Sequence, residues 1–323
     1  MSYGMETPRM TTKIQAELVH ASYTRAKLLG WFKAIGNIRN IGKGIINHVT
    51  TKIEKMEPGE IIADLSALPV SVPRFSEQTS SLLTIGTKVA IPKDVLDRYN
   101  NNNQISIDLA DIIETQLKAF TEQIDQFLAY GDSYLTKRTG DINAAMSIAT
   151  GIFNGGTAFG AGDGADNNMS AAGDYQSTVS LGMQALEAAG FESEIGYYMF
   201  SDNVTYHTAE RGVHQLNTYD FTNERMAIDK NPGIRKWIYS SHFTDVSSHR
   251  RIVITTPYSR PVPDGGDKQT FAYRLLQGYE LEVTPFYNGG LGPNGRYEWM
   301  ILWSGAIEVL NAGAIQMSGN LTL

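Results

Sequence analysis

The 323-residue sequence contains no cysteine. That absence excludes disulfides, thiolate nucleophiles and cysteine-ligated zinc together, so packing and any neighbouring copies must hold the chain. No run of about 18 apolar residues occurs, and no charged stretch followed by an apolar one opens the sequence, which predicts neither membrane insertion nor secretion. Charged residues are only 19% of the chain against 42% apolar, the balance of an ordered globular protein. The motifs of common hydrolases are missing too: there is no HExxH, no GxSxG and no local Ser/His/Asp signature. His207 and His214 are seven residues apart, as are His242 and His249. On a helix that spacing is roughly 10.5 Å of rise, too far for two ligands of one metal.

Two glycine-rich patterns also point away from ligands. Gly290, Gly292 and Gly295 have the spacing of a dinucleotide fingerprint, but Pro293 interrupts it and a strand pattern follows where a helix would be needed, so a tight hairpin turn is predicted. Asp163, Asp166 and Asn168 could offer oxygens to calcium, yet they lack EF-hand spacing and suit a Gly/Asp-rich turn without metal. No cofactor and no metal is expected.

What charge there is lies unevenly. Residues 1–55 hold nine basic residues (Arg9, Lys13, Arg25, Lys27, Lys33, Arg39, Lys43, Lys52, Lys55) against three acids, a net of +6. The whole chain is −7, which leaves −13 for the remainder. A basic segment on an acidic body can meet phosphates without reading sequence, pair with acids of a neighbouring copy, or stand in solvent.

The strongest periodic signal lies in the middle. Leu109, Ile113, Leu117, Phe120, Ile124 and Phe127 follow at spacings of four, four, three, four and three, one stripe down a helix of 3.6 residues per turn. Asp111, Glu114, Lys118, Glu122 and Asp125 are assigned to the other face. Ser106 and Asp108 offer a start and Gly131 a permissive stop, so a helix is predicted over 105–131. A second helix is predicted over 11–35, followed by a stretch broken by Gly36, Gly42 and Gly44. It suits an arm lying on another subunit or an ordinary helix packed on its own core. Residues 59–92 alternate weakly and carry Pro69 and Pro73, which confine them to an edge or a ribbon. Residues 76–81 are expected as the polar turn of that ribbon. Further along come a helix over 174–189, with Val179, Met183 and Leu186 inward, and a strand at 197–200 leading into a helix capped by Ser201 or Asp202. Strands around 237–243, 251–258 and 279–287 complete an α+β reading. The length favours two compact lobes.

The order of Lys88-x-Ala90-x-Pro92, a short helix, the long helix ending in Tyr130, Gly131 and Asp132, then Gly151, Ile152, Phe153 and Asn154, resembles the major capsid proteins of tailed bacterial and archaeal viruses, the Hong Kong 97 phage fold. Segment 296–321 resembles that family's closing strands. The resemblance covers residues 58–323. It implies an N-terminal arm (1–57), an extended E-loop hairpin (58–92), and a peripheral domain with a long spine helix (93–150). An axial domain with the remaining peripheral sheet (151–300) and closing strands (301–323) complete it. It further implies a structural protein, not an enzyme, whose hexamers and pentamers form an icosahedral shell around double-stranded DNA. Such a shell is assembled in the host cytoplasm and is the capsid of the virion. Candidate assembly residues are then Arg9, Lys13, Arg25, Lys27, Lys33, Arg39 and Lys43 in the arm, and Arg74, Phe75 and Glu77 in the hairpin. Portal, scaffold and decoration proteins are expected partners, any scaffold or protease being a separate protein; a membrane is not expected. Two readings stay open beside it: an encapsulin-type nanocompartment, which shares the fold and encloses enzymes, and a soluble α+β enzyme.

Overall fold

The computed structural model describes residues 26–45, 47–53, 75–94, 109–131, 151–159, 174–191, 196–216, 233–243, 250–258, 271–286 and 291–318. Arg9, Lys13, Arg25, Arg74, the loop with Asp163, Asp166 and Asn168, and His249 lie outside these residues. In chain order the elements are α1 (Lys27–Ala34), β1 (Ile38–Asn40), β2 (Asn47–Ile53), β3 (Phe75–Ser81), β4 (Leu83–Pro92), α2 (Leu109–Tyr130) and β5 (Thr157–Ala158). Then follow α3 (Asp174–Ala188), β6 (Tyr197–Asp202), α4 (Asn203–Leu216), β7 (Ile234–Ser240), β8 (Val253–Thr255), β9 (Tyr273–Gln277), β10 (Glu282–Pro285), β11 (Arg296–Val309) and β12 (Ile315–Met317).

One five-stranded sheet is built on β11, whose run of Trp, Ile and Leu favours a strand buried on both faces. Along one edge β4 pairs antiparallel from Arg296 to Gly305. The other edge is shared by β10, opposite Trp299 to Leu302, and β9, opposite Gly305 to Val309. Gly305 marks the change of partner. A Cβ there would lie 2.6 Å from the Trp303 ring and 2.7 Å from the Leu276 carbonyl oxygen, so only glycine fits. β1 joins β9 in parallel. The second sheet has the order β5-β12-β8-β6-β7, and β2 and β3 form a separate ribbon. The closing strands are thus divided: β11 centres one sheet and β12 lies in the other.

The predicted long helix is α2, 22 residues and about 33 Å long. Ile113, Leu117, Phe120, Ile124 and Phe127 are at most 1% exposed. Leu109 opens the helix, and Gly131 takes φ +80° after its end. Asp125 departs from expectation. The spacing places it on the polar face, yet it is 2% exposed, because the first N–H groups of α1 need its carboxylate. In α3, Val179 and Leu186 are buried and Met183 packs on the core; Asp202 Oδ1 accepts from the Thr205 N–H at 2.7 Å and caps α4. The Gly292 N–H donates to the Arg296 carbonyl at 2.9 Å, so the glycine pattern before β11 is a turn.

Two expectations are corrected. Residues 26–40, inside the expected arm of 1–57, belong to the chain's own body: Leu28, Leu29, Trp31 and Phe32 of α1 are buried, and β1 is a strand of the first sheet. Apolar burial decides this, since an arm helix would expose those four side chains. Residues 76–81 are not a turn but most of β3, which pairs with β2 over seven positions, while 83–92 is β4 in the first sheet. A ribbon with solvent on its faces keeps polar side chains in strand conformation, so polarity alone was a false sign of a turn. One apolar cluster runs through both sheets. The Trp31 ring touches Tyr198 and Phe200 of β6 at 5.2 and 4.9 Å and Tyr273 of β9 at 6.3 Å, and Thr255 Oγ1 of β8 is hydrogen-bonded to the Tyr273 hydroxyl at 3.0 Å.

Candidate assembly site

The ribbon of β2 and β3 stands apart from both five-stranded sheets. Val49 on β2 is 53% exposed, and Glu77 and Thr79 on β3 are exposed. Its middle pair, Thr50 and Gln78, is fixed to the body from both strands. Thr50 Oγ1 donates to Glu308 Oε1 at 2.5 Å and accepts from Arg274 Nη2 at 3.2 Å, while Arg274 Nε donates to Glu308 Oε2 at 2.5 Å. Glu308 is fully buried and Arg274 is 17% exposed, so the charges are paired where a lone one would be costly. From β3, Gln78 Nε2 donates to the Val309 carbonyl at 2.7 Å. Both strands are thereby tied to the last residues of β11.

The C-terminal third of the spine helix is fixed by two distant segments of the chain. Near its C-terminus the carbonyls of Leu128, Ala129 and Tyr130 lack helical partners. They accept from Ile152 N at 3.0 Å, Phe153 N at 2.8 Å and Asn154 Nδ2 at 2.9 Å. Asn154 Oδ1 also accepts from the Gly151 N–H at 2.6 Å. A Cβ on Gly151 would meet the Ala129 oxygen at 2.2 Å. The Phe153 ring stacks on Tyr130 at 5.0 Å, and the Tyr130 hydroxyl donates to the Phe243 carbonyl at 2.9 Å. In the last third of the helix, Asp125 Oδ2 accepts from Lys27 N at 2.5 Å, and Oδ1 from Leu28 N and Leu29 N at 3.1 and 3.3 Å. Burial pushes this carboxyl up to about 7, against the pull of those N–H groups and of the Lys27 charge.

Among the described residues, the candidate basic side chains Lys27, Lys33, Arg39 and Lys43 are not gathered into one patch. Lys27 and Lys33 stand at opposite ends of α1, about 9 Å of helix rise apart, and both are exposed, as is Arg39 on β1. Lys43 is spoken for within the chain: its ammonium pairs with Glu282 and lies over the Tyr279 ring at 5.5 Å. Phe75 opens β3 opposite Ile53, and Glu77 faces solvent opposite Thr51. Sequence reasoning missed Thr50, Arg274 and Glu308, which come from three strands and carry no local signal. It noted Gly151 to Asn154 as a motif but not as the lock on the helix end.

A cleft of about 680 Å³ opens between α1, α2 and β7. Lys27, Lys118, Lys236, Tyr239 and His242 are among the residues that line it. Among the described residues, no three His, Asp or Glu side chains gather as a metal site, and no helix is long and apolar enough to cross a membrane.

No known family description and no curated protein matches the sequence. Solved structures do match. A virus-like particle from Pyrococcus furiosus is 9% identical with a TM-score of 0.53, the match covering 95% of this chain and 97% of that one. The capsid of Myoviridae phage XM1 is 15% identical with a TM-score of 0.57, covering 90% and 92%. The capsid of a native GTA particle is 13% identical with a TM-score of 0.58, covering 92% and 91%. Identities this low speak for architecture alone. A spine helix under a sheet centred on one long strand, a ribbon tied to that strand's end and a second sheet sharing the core therefore make this the Hong Kong 97-type capsid fold, over nine-tenths of the chain.

Proposed function

We propose that this chain is the major capsid protein of a tailed virus, a structural protein that self-assembles through hexamers and pentamers into an icosahedral shell around double-stranded DNA. The observation that carries this reading is the anchored ribbon. A two-stranded ribbon is marginal by itself, and this one exposes Val49 while both strands are fixed at their middle pair by a buried ion pair and two side-chain hydrogen bonds. Holding such a surface in place is useful to a chain that lays it on a neighbouring copy, where repeated contacts bury area on many subunits. The net +6 of residues 1–55 supports DNA as the contents. Assembly in the host cytoplasm, residence in the virion capsid, and portal, scaffold or decoration partners belong to the same reading.

Negative-stain electron microscopy of the expressed protein, across concentration and salt and with its accompanying structural genes coexpressed, tests it. Shells or hexamer and pentamer rings are expected. A species that stays monomeric under all these conditions refutes the reading. Particles from the natural source should hold DNA protected from nuclease; particles holding an enzyme and no DNA would make the chain a nanocompartment shell.

A further inference from the structure

The cleft between α1, α2 and β7 plays no part in the ribbon's attachment. Lys27, Lys118 and Lys236 line it, one from each of the three elements, and all three side chains are exposed. Among the described residues, none of their ammonium groups has a carboxylate within ion-pair distance. The two carboxylates of the same walls are committed elsewhere, Asp125 to three N–H groups of α1 and Glu122 to His242 Nε2 at 3.7 Å. Like charges drawn to one cleft repel, and an anion shared among them removes that repulsion. Linked phosphates, with several charges and many acceptor oxygens, suit three ammonium groups that each offer three donors.

Charge is only part of the lining. Tyr239 also lines the cleft and is 38% exposed, and its ring is held by stacking on Tyr206 at 3.8 Å and 12°. Tyr206 in turn meets the edge of the Trp237 ring at 4.7 Å. A fixed, exposed aromatic beside uncommitted cations is a surface for a flat ring joined to an anion. The volume of about 680 Å³ lies in the range of about 300–1,000 Å³ within which small molecules are bound. A duplex keeps its bases stacked inside and offers Tyr239 no ring face. A single strand spreads its phosphates one to a nucleotide along a continuous track, whereas the three lysines share one cleft.

We propose that the cleft binds a free nucleotide, its linked phosphates on Lys27, Lys118 and Lys236 and its base against Tyr239. The site belongs to one chain and stands whether or not that chain forms a shell.

The test titrates the full chain with magnesium-free ATP carrying a fluorescent ribose label, read by anisotropy. Unlabelled ATP, tripolyphosphate, adenosine and an oligothymidylate then compete with the probe. ATP should displace it at concentrations about tenfold lower than tripolyphosphate, which lacks the ring, and about tenfold or more below adenosine, which lacks the charge. Added salt should weaken ATP more than adenosine. Lys118→Gln with Lys236→Gln should weaken ATP by about tenfold or more, while Lys118→Arg with Lys236→Arg should retain it. Tyr239→Ser should abolish the advantage of ATP over tripolyphosphate. All three side chains are exposed, and a cooperative urea transition shows that each variant is folded. No saturable binding of the probe overturns the proposal. So does tripolyphosphate displacing it as well as ATP, oligothymidylate displacing it better than ATP, or undiminished binding by the folded glutamine variant.

Discussion

Asp125 is the acceptor on which α1 begins. Ala26, at the cap position of that helix, has no side chain able to accept, so the N–H groups of Lys27, Leu28 and Leu29 all turn to one carboxylate on the spine. Burial pushes that carboxyl up to about 7, whereas in the unfolded chain an Asp titrates near its ordinary value of about 3.9. A folded-state value above the unfolded one fixes the sign. The group's contribution to stability is complete below about pH 3.9, is lost as pH rises to about 7, and stays lost beyond. Some three pH units at 1.36 kcal/mol each give about 4 kcal/mol. Asp125→Asn keeps an acceptor for Leu28 and Leu29 but does not titrate. Relative to that variant, the native chain should therefore lose about 4 kcal/mol of unfolding free energy between pH 4 and pH 8. Urea unfolding of dilute, unassembled subunits measures it, with tryptophan fluorescence as the signal, since Trp31 sits on α1 and is 4% exposed. A difference that does not change with pH refutes the reasoning. So does one of opposite sign, which would mean that the three N–H groups outweigh burial.

Glu308→Ala strands the Arg274 charge and takes the acceptor from Thr50, so it should cost about 3–5 kcal/mol and speed amide exchange in β2 and β3; exchange confined to other strands would refute the tie. Gly151→Ala puts a Cβ 2.2 Å from the Ala129 oxygen and should cost about 1–3 kcal/mol, read as a lowered urea midpoint. Phe120→Asp buries an unpaired charge and should abolish soluble folding; a variant that still unfolds cooperatively would mean the stripe is not core. Deletion of residues 1–25 should leave a folded body with impaired shells. Deletion of 1–50 should destroy the body, because it removes Leu28, Leu29, Trp31 and Phe32 together with β1; limited proteolysis separates the two outcomes.

The spine helix could be read from the sequence because one periodic stripe is decided by local spacing. Asp125 could not, since it lies about 80° around the helix from Leu117, on the flank of the stripe, and what makes it buried is a helix start 98 residues away. That this region holds a ribbon is legible, but its strands are not: 75–81, with the polarity of a turn, pairs with the earlier β2, and 83–92 has a longer and more apolar partner in β11. β9 was invisible as a strand: four of its five residues are buried, so alternation is absent. β1 is too short to give any signal. The hook of Thr50, Arg274 and Glu308 and the cleft beside β7 are assembled from separate elements and exist only once the sheets are formed.

The remote start of α1 sets a delay in synthesis. At about 5–20 residues per second, the ribosome adds the 98 residues between Lys27 and Asp125 in roughly 5–20 s. Until then the helix has no acceptor for its first N–H groups, and Leu28, Leu29, Trp31 and Phe32 have no core to enter. The aromatic partner Tyr273 is made later still. A growing chain therefore carries a sticky amphipathic segment for most of its time on the ribosome, many copies at once on each messenger. Such chains need either a chaperone on the segment or neighbours kept apart, and the yield of native subunit should fall when translation outpaces both.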